Sequence, residues 1–102
     1  MKEIGFIGSG NMAGAIMGGI VKKGIFRPEE IITSDASPAA REKTERELGV
    51  EVTADNRKTA EESRILVLSV KPQYYNTVIE EIRGLIRPEQ IVITIAPGWT
   101  IE

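Results

Sequence analysis

Gly8-Ser9-Gly10-Asn11-Met12-Ala13 sets two glycines and a third small residue at the spacing of a turn that can hold a diphosphate. In such a turn the first glycine permits the tight bend from strand to helix. The second lets the backbone approach a pyrophosphate with no Cβ in the way. Ala13 lets the new helix lie close on the strand, and the free N–H groups of its first turn point at the phosphates with the helix dipole behind them. A carboxylate follows at a matching interval. Asp35 stands 22 positions after Ala13, at the end of the apolar run Ile31-Ile32-Thr33-Ser34, where a ribose-binding acid belongs. An ordinary turn residue before Ser37-Pro38 would look the same in isolation. The glycine string also recurs by chance in many loops, so the reading rests on the elements around it.

Those elements fit. Ile4-Gly5-Phe6-Ile7 reads as a buried parallel strand directly before Gly8. Met12, Ile16 and Ile20 recur at four-residue steps in the helix that follows, while Ala13, Gly14, Ala15, Gly18 and Gly19 keep it thin. Lys22-Lys23-Gly24 supplies a cationic last turn and a glycine stop. After the second strand, Ile31 to Ser34, Ser37 caps a helix that starts at Pro38, runs to Leu48 and is terminated by Gly49. Val50-Glu51-Val52 makes a short third strand, and Asp55-Asn56 caps a brief helix through about Ala60 and Glu61. Ile65-Leu66-Val67-Leu68-Ser69-Val70 suits a central strand, ended by Lys71-Pro72 because proline has no N–H to donate. Tyr75, Val78, Ile79, Ile82, Leu85 and Ile86 mark an amphipathic helix closed by Arg87-Pro88, and Ile91 to Ile95 forms a fifth strand. Strand and helix alternate throughout. Right-handed crossovers then build an α/β, doubly wound parallel sheet in the order 3-2-1-4-5, with helices on both faces.

A chain of 102 residues holds one modest core and reads as one domain over residues 1–102. Thirteen basic residues against 15 acidic ones form no basic stripe, which argues against a nucleic-acid partner. With no cysteine there is no disulfide or thiolate chemistry, and with no histidine the commonest general base and metal ligand are both missing. No metal site is expected. Met1-Lys2-Glu3 runs straight into a strand, and no apolar run approaches the ~20 residues that span a bilayer, so the chain reads as cytoplasmic with no membrane partner.

In a doubly wound sheet the ligand sits outside the carboxyl ends of the strands, at the switch point between strands 1 and 4. That rule selects Gly8 to Met12, Ser34 to Ser37, Ser69 to Pro72 and Ala96 to Gly98, with Asn56 facing the adenine side. Lys71 by residue type could polarise a substrate, although Val70-Lys71-Pro72 more readily shapes a backbone turn beside a nicotinamide ribose. Trp99 could flank the nicotinamide ring or pack against a neighbouring domain. Tyr74 and Tyr75 offer hydroxyls, Tyr75 from the apolar face of its helix.

At these positions the sequence resembles a family. Ile4 to Ala13, Val70-Lys71-Pro72-Gln73 and Ile95-Ala96-Pro97-Gly98 look like pyrroline-5-carboxylate reductase, along the whole chain but only over the N-terminal part of a family member. The resemblance implies a Rossmann-like domain that binds NADP, with NAD as the second possibility. It also implies hydride transfer from C4 of the reduced nicotinamide to the C=N carbon of 1-pyrroline-5-carboxylate, giving L-proline. Implied cofactor contacts are Ile7, Gly8, Ser9, Gly10, Asn11 and Met12 for the diphosphate and its ribose, and Asp35 and Ser37 for the adenosine ribose. Asn56 adds one contact, and Ser69, Val70, Lys71, Pro72, Ala96 and Gly98 lie on the nicotinamide side. Ser34 joins them on electrostatic grounds, because with Ser37 and Arg41 it could hold a 2′-phosphate that the Asp35 charge opposes. No catalytic side chain is implied here. The imine pocket and a homo-oligomer interface are implied in a helical C-terminal domain beyond Glu102. The family pattern has a second alanine at Pro97 and a smaller aliphatic residue at Trp99.

Other readings of the residues are a free-standing NAD(P)-binding regulatory module and another imine or hydroxy-acid reductase. Thr100-Ile101-Glu102 ends the chain where a further helix should start. An uncovered apolar sheet face, and hence a fragment with no turnover of its own, is the expectation.

Overall fold

The computed structural model describes residues 1–95, the side chain of Asn11 excepted. Five strands form one parallel sheet: β1 (Lys2–Ile7), β2 (Ile31–Ser34), β3 (Glu51–Thr53), β4 (Ser63–Leu68) and β5 (Ile91–Thr94). Their order is β3-β2-β1-β4-β5, as the alternation of elements requires. Four helices connect them: α1 (Asn11–Lys22), α2 (Pro38–Leu48), α3 (Asn56–Glu62) and α4 (Tyr75–Ile82). The register brings the last residues of neighbouring strands level. Ile7 pairs with Ser34 on one side and with Leu68 on the other, Ser34 with Thr53, and Leu68 with Thr94. One straight carboxyl edge results, from which Gly8, Asp35, Ala54 and Ser69 all depart.

Alternate residues of the central strands face opposite layers, because successive Cβ atoms of a strand point to opposite sides. Ile4 and Phe6 of β1 and Val67 of β4 pack with Ala13 and Met17 of α1 and with Ile31 and Val50. Ile7, Leu66 and Leu68 pack instead with Ala60 of α3 and with Val78 and Ile82 of α4. Each fully buried Ile, Leu or Phe contributes about 1.5–3 kcal/mol, so the two layers lock β1 and β4 as the rigid centre of the sheet. Gly5 sits mid-strand because α3 ends directly on it. A Cβ at Gly5 would stand 1.8 Å from Ser63 Oγ, which donates to Thr59 O at 2.6 Å.

The local signals act where the sequence puts them. Ser37 accepts from the Ala40 amide at 3.2 Å, Pro38 opens α2, and Gly49 closes it at φ +72°. Asp55 caps α3 by accepting from the Arg57 amide. Several boundaries differ from the sequence reading: β1 begins at Lys2 rather than Ile4, β3 covers Glu51–Thr53 rather than Val50 to Val52, and β5 ends at Thr94 rather than Ile95. β4 starts at Ser63 rather than Ile65, because Ser63 pairs in register with Lys2 of β1; Gln90 Nε2 and Arg87 Nη2 also donate to the Ser63 carbonyl. It ends at Leu68, leaving Ser69 and Val70 in the turn beyond. The helix from Tyr75 gives way to a 3-10 turn over Arg83–Leu85, where Gly84 weakens the α-helix.

β5 lies at an edge of the sheet, and the helical cover stops short of it. Ile91, Val92 and Ile93 are 52%, 40% and 45% exposed. Tyr75 anchors its end, the phenolic hydroxyl donating to Ile95 O. Burial raises that hydroxyl's pKa. Among the described residues no helix is long and apolar enough to cross a membrane.

Candidate functional site

The turn after β1 is built around two glycines that have different reasons to be there. Gly8 adopts φ +99°, a conformation that costs any residue with a Cβ. A Cβ there would lie 2.9 Å from the Ser69 carbonyl oxygen and 3.2 Å from Val70 Cγ1. The bend is pinned on both sides. The Gly8 amide donates to Ser34 O at 2.7 Å, and the Ser69 amide donates to Ile7 O at 2.9 Å. The Ser69 hydroxyl is shared between Ile7 O (3.0 Å) and Gly8 O (2.9 Å). Gly10 is another matter. Its φ of −69° and ψ of −171° suit any residue, and a Cβ there would meet nothing within 4 Å. The free fold does not require glycine at position 10.

Helix α1 starts at that point with no side-chain cap. Its first-turn amides, at Asn11, Met12 and Ala13, have no partner within the helix, and the positive end of a 12-residue helix dipole lies with them. Open space at Gly10 beside uncapped donors is the form of an anion cradle, so these residues fit a diphosphate group.

Asp35 leaves the end of β2 and reaches across to the same turn. Its Oδ2 accepts from the Ser9 amide at 3.0 Å and from the Ser9 hydroxyl at 2.9 Å, and its Oδ1 accepts from the Ser37 amide at 2.9 Å. Arg41 Nη1 donates to the Asp35 carbonyl at 2.7 Å. Burial works against the charge. The amides of Ser37 and Ser9, the Ser9 hydroxyl and the Arg41 guanidinium outweigh it, and hold the Asp35 carboxyl below its ordinary value. Asp35 is therefore an anion at neutral pH that both braces the glycine turn and faces the cavity. Arg41, read from the sequence as a phosphate ligand, is bonded here to the backbone.

A cavity of about 640 Å³ opens above the carboxyl edge, within the size range of small-molecule sites. Of the residues selected from the sequence, Ile7, Gly8 and Gly10 line it from the first turn, Ser34, Asp35 and Ser37 from the second, and Ser69, Val70 and Lys71 from the turn after β4. Asn56 joins them from the start of α3. Ser9 is turned instead toward a second hollow between α1 and α2. Met12 and Pro72 do not figure among the described residues that wall the main cavity. Ala96 and Gly98, with Pro97 and Trp99, lie outside the described residues.

The sequence reading singled out Tyr74 only for its hydroxyl and missed Thr77, Val78 and Glu81, and these four form a wall of the cavity together with Ala36 and Ala54. The signal was present in the spacing. Positions 74, 77, 78 and 81 share one helical face, and polar Thr77 and Glu81 flank buried Val78 on it. Asn56 is held by a relay. Ser34 Oγ donates to Asn56 Oδ1 at 2.8 Å, and Asn56 Nδ2 donates to Glu81 Oε1 at 2.9 Å.

The family model described as NADP oxidoreductase coenzyme F420-dependent matches residues 3–98. A pyrroline-5-carboxylate reductase of Methanosarcina acetivorans is 41% identical over 97 residues, which make up 95% of this chain and 36% of the relative. The solved structure of such a reductase from Coxiella burnetii superposes with a TM-score of 0.87 at 35% identity, covering 97% of this chain and 37% of that one. The Plasmodium falciparum pyrroline carboxylate reductase structure, which has NADP bound, shares the fold with a TM-score of 0.79 at 24% identity, over 98% of this chain and 35% of its own. The chain thus spans little more than a third of the length of these relatives.

Proposed function

The chain belongs to the family described as NADP oxidoreductase coenzyme F420-dependent, and from that membership we propose that it is the cofactor-holding part of a pyrroline-5-carboxylate reductase. The observation that carries the reading is the vacant approach at Gly10 beside the uncapped start of α1, set at the switch point between β1 and β4. The proposed cofactor is NADP, with NAD as the second ligand. When bound, its reduced nicotinamide would supply a hydride for the C=N carbon of the N-protonated 1-pyrroline-5-carboxylate; the C=N electron pair would pass to the nitrogen, which keeps the proton it already carried, leaving L-proline and the oxidised cofactor.

The work of this chain's residues is to bind and orient. The amides from Gly10 to Ala13 receive the diphosphate. The Asp35 anion accepts from a ribose hydroxyl and stands against a 2′-phosphate. Ser37 and Asn56 border the same cavity and supply polar groups there. Ser69, Val70 and Lys71 form the turn on the nicotinamide side; Pro72, and Ala96 and Gly98 outside the described residues, remain contacts inferred from the sequence. No residue of this chain is assigned a proton-transfer role, since a protonated imine is already electrophilic. We assign the imine pocket and a homo-oligomer interface to the further length of these relatives that this chain does not cover.

Titrating the reduced-nicotinamide fluorescence of NADPH with the 102-residue chain tests the binding claim. Saturable binding is expected, and none up to millimolar concentration would refute it. The same chain should show no turnover of NADPH with 1-pyrroline-5-carboxylate. Robust oxidation would overturn that second statement.

A further inference from the structure

The wall of the cavity made by α3 and α4 has a fixed polarity. Ser34 is fully buried, and its hydroxyl donates to Asn56 Oδ1, so the amide nitrogen of Asn56 must turn the other way. It turns to Glu81, and a carboxylate can only accept. Oε2 of Glu81 has no hydrogen-bond partner among the described residues, which leaves an acceptor of known orientation at the cavity wall. On the same helical face Tyr74 is 54% exposed and Val78 is buried, offering aromatic and aliphatic surface beside that acceptor.

A flat heteroaromatic ring with an exocyclic amino group fits these features. Its faces match Tyr74 and Val78, and its amino N–H groups match Glu81. A 6-oxo purine presents an acceptor at the same edge and would meet the carboxylate with two lone pairs opposed. We propose that this wall is a base-reading subsite in which Glu81, positioned by Asn56, accepts from the 6-amino group of adenine. The inference rests on the cofactor reading above and adds to it a residue that discriminates between bases.

The test compares NADPH with its hypoxanthine analogue, in which the 6-amino group is replaced by oxygen, each titrated against the 102-residue chain by reduced-nicotinamide fluorescence. The analogue should bind about tenfold more weakly, the loss expected for one unmatched hydrogen bond to a charged group at a partly open site. In Glu81→Gln the gap should close to about threefold or less, because the amide can donate to the 6-oxo group. Tyr74→Leu should weaken both ligands alike. Equal binding of the two by the wild-type chain would overturn the base-reading role and leave the cofactor reading standing. Failure of NADPH itself to bind would overturn both.

Discussion

Replacing Gly8 and Gly10 separately by alanine should break different things. At Gly8 the added Cβ forces φ +99° on a residue that avoids it, at about 1–3 kcal/mol. It also comes 2.9 Å from the Ser69 carbonyl, a backbone atom held by its own strand, for about 1–3 kcal/mol more. Gly8→Ala should therefore lose about 2–6 kcal/mol of the ~5–15 kcal/mol that holds such a chain, and its melting temperature should fall by ~10 °C or more. At Gly10 the angles already suit alanine and the Cβ meets nothing within 4 Å. A slightly poorer helix cap is offset by a less flexible unfolded chain, so stability should change by no more than about 0.5 kcal/mol. Affinity for NADPH should nonetheless drop at least tenfold, because the methyl group fills the path of the diphosphate. Urea unfolding and fluorescence titration of both variants are the assays. A Gly10→Ala protein that binds like the wild type, or a Gly8→Ala protein that is as stable, refutes the reasoning.

Further outcomes follow from other contacts. Gly5→Ala should be severely destabilised by the 1.8 Å approach to Ser63 Oγ, and Ser63→Ala in the same chain should recover part of the loss, so a double-mutant cycle in urea should show clear coupling. Asp35→Asn should cost about 1 kcal/mol near neutral pH, discounted for the exposure of the group, since an amide cannot accept from both Ser9 and Ser37. Because the folded-state pKa of Asp35 lies below its unfolded value, its stabilisation is complete above the ordinary carboxylate range and is lost as pH falls through the folded value. The wild-type and Asp35→Asn unfolding curves should accordingly converge in strong acid, and a constant gap down to that pH would contradict the assignment. Asp35→Asn should also raise the NADPH to NADH affinity ratio, measured by titration, as the charge opposing a 2′-phosphate is removed. Ser69→Ala should cost about 1 kcal/mol in unfolding experiments by freeing the Ile7 and Gly8 carbonyls from their shared hydroxyl.

Strand order and helix α2 were legible because their causes are local. Alternating apolar runs and helical periods dictate crossovers, and Ser37, Pro38 and Gly49 act within a few residues of themselves. The glycine turn was legible for the same reason. What the residues did not announce depends on partners far along the chain. The start of β4 is set by the pairing of Ser63 with Lys2, 61 residues earlier in the chain, and Gln90 and Arg87 hold the Ser63 carbonyl. Ser9, expected to face a cofactor, turns to Asp35 across 26 residues. The α4 wall stayed hidden because Val78 reads equally well as core, and only the tertiary position of Asn56 gives Glu81 a defined direction.

Amide shift mapping during an NADPH titration tests the diphosphate cradle most directly. The largest changes should fall on the backbone N–H groups of Gly8, Gly10, Met12 and Ala13, with Asp35 and Ser37 next. Changes confined to β5, to the amino end of the sheet or to the hollow between α1 and α2 would contradict the account.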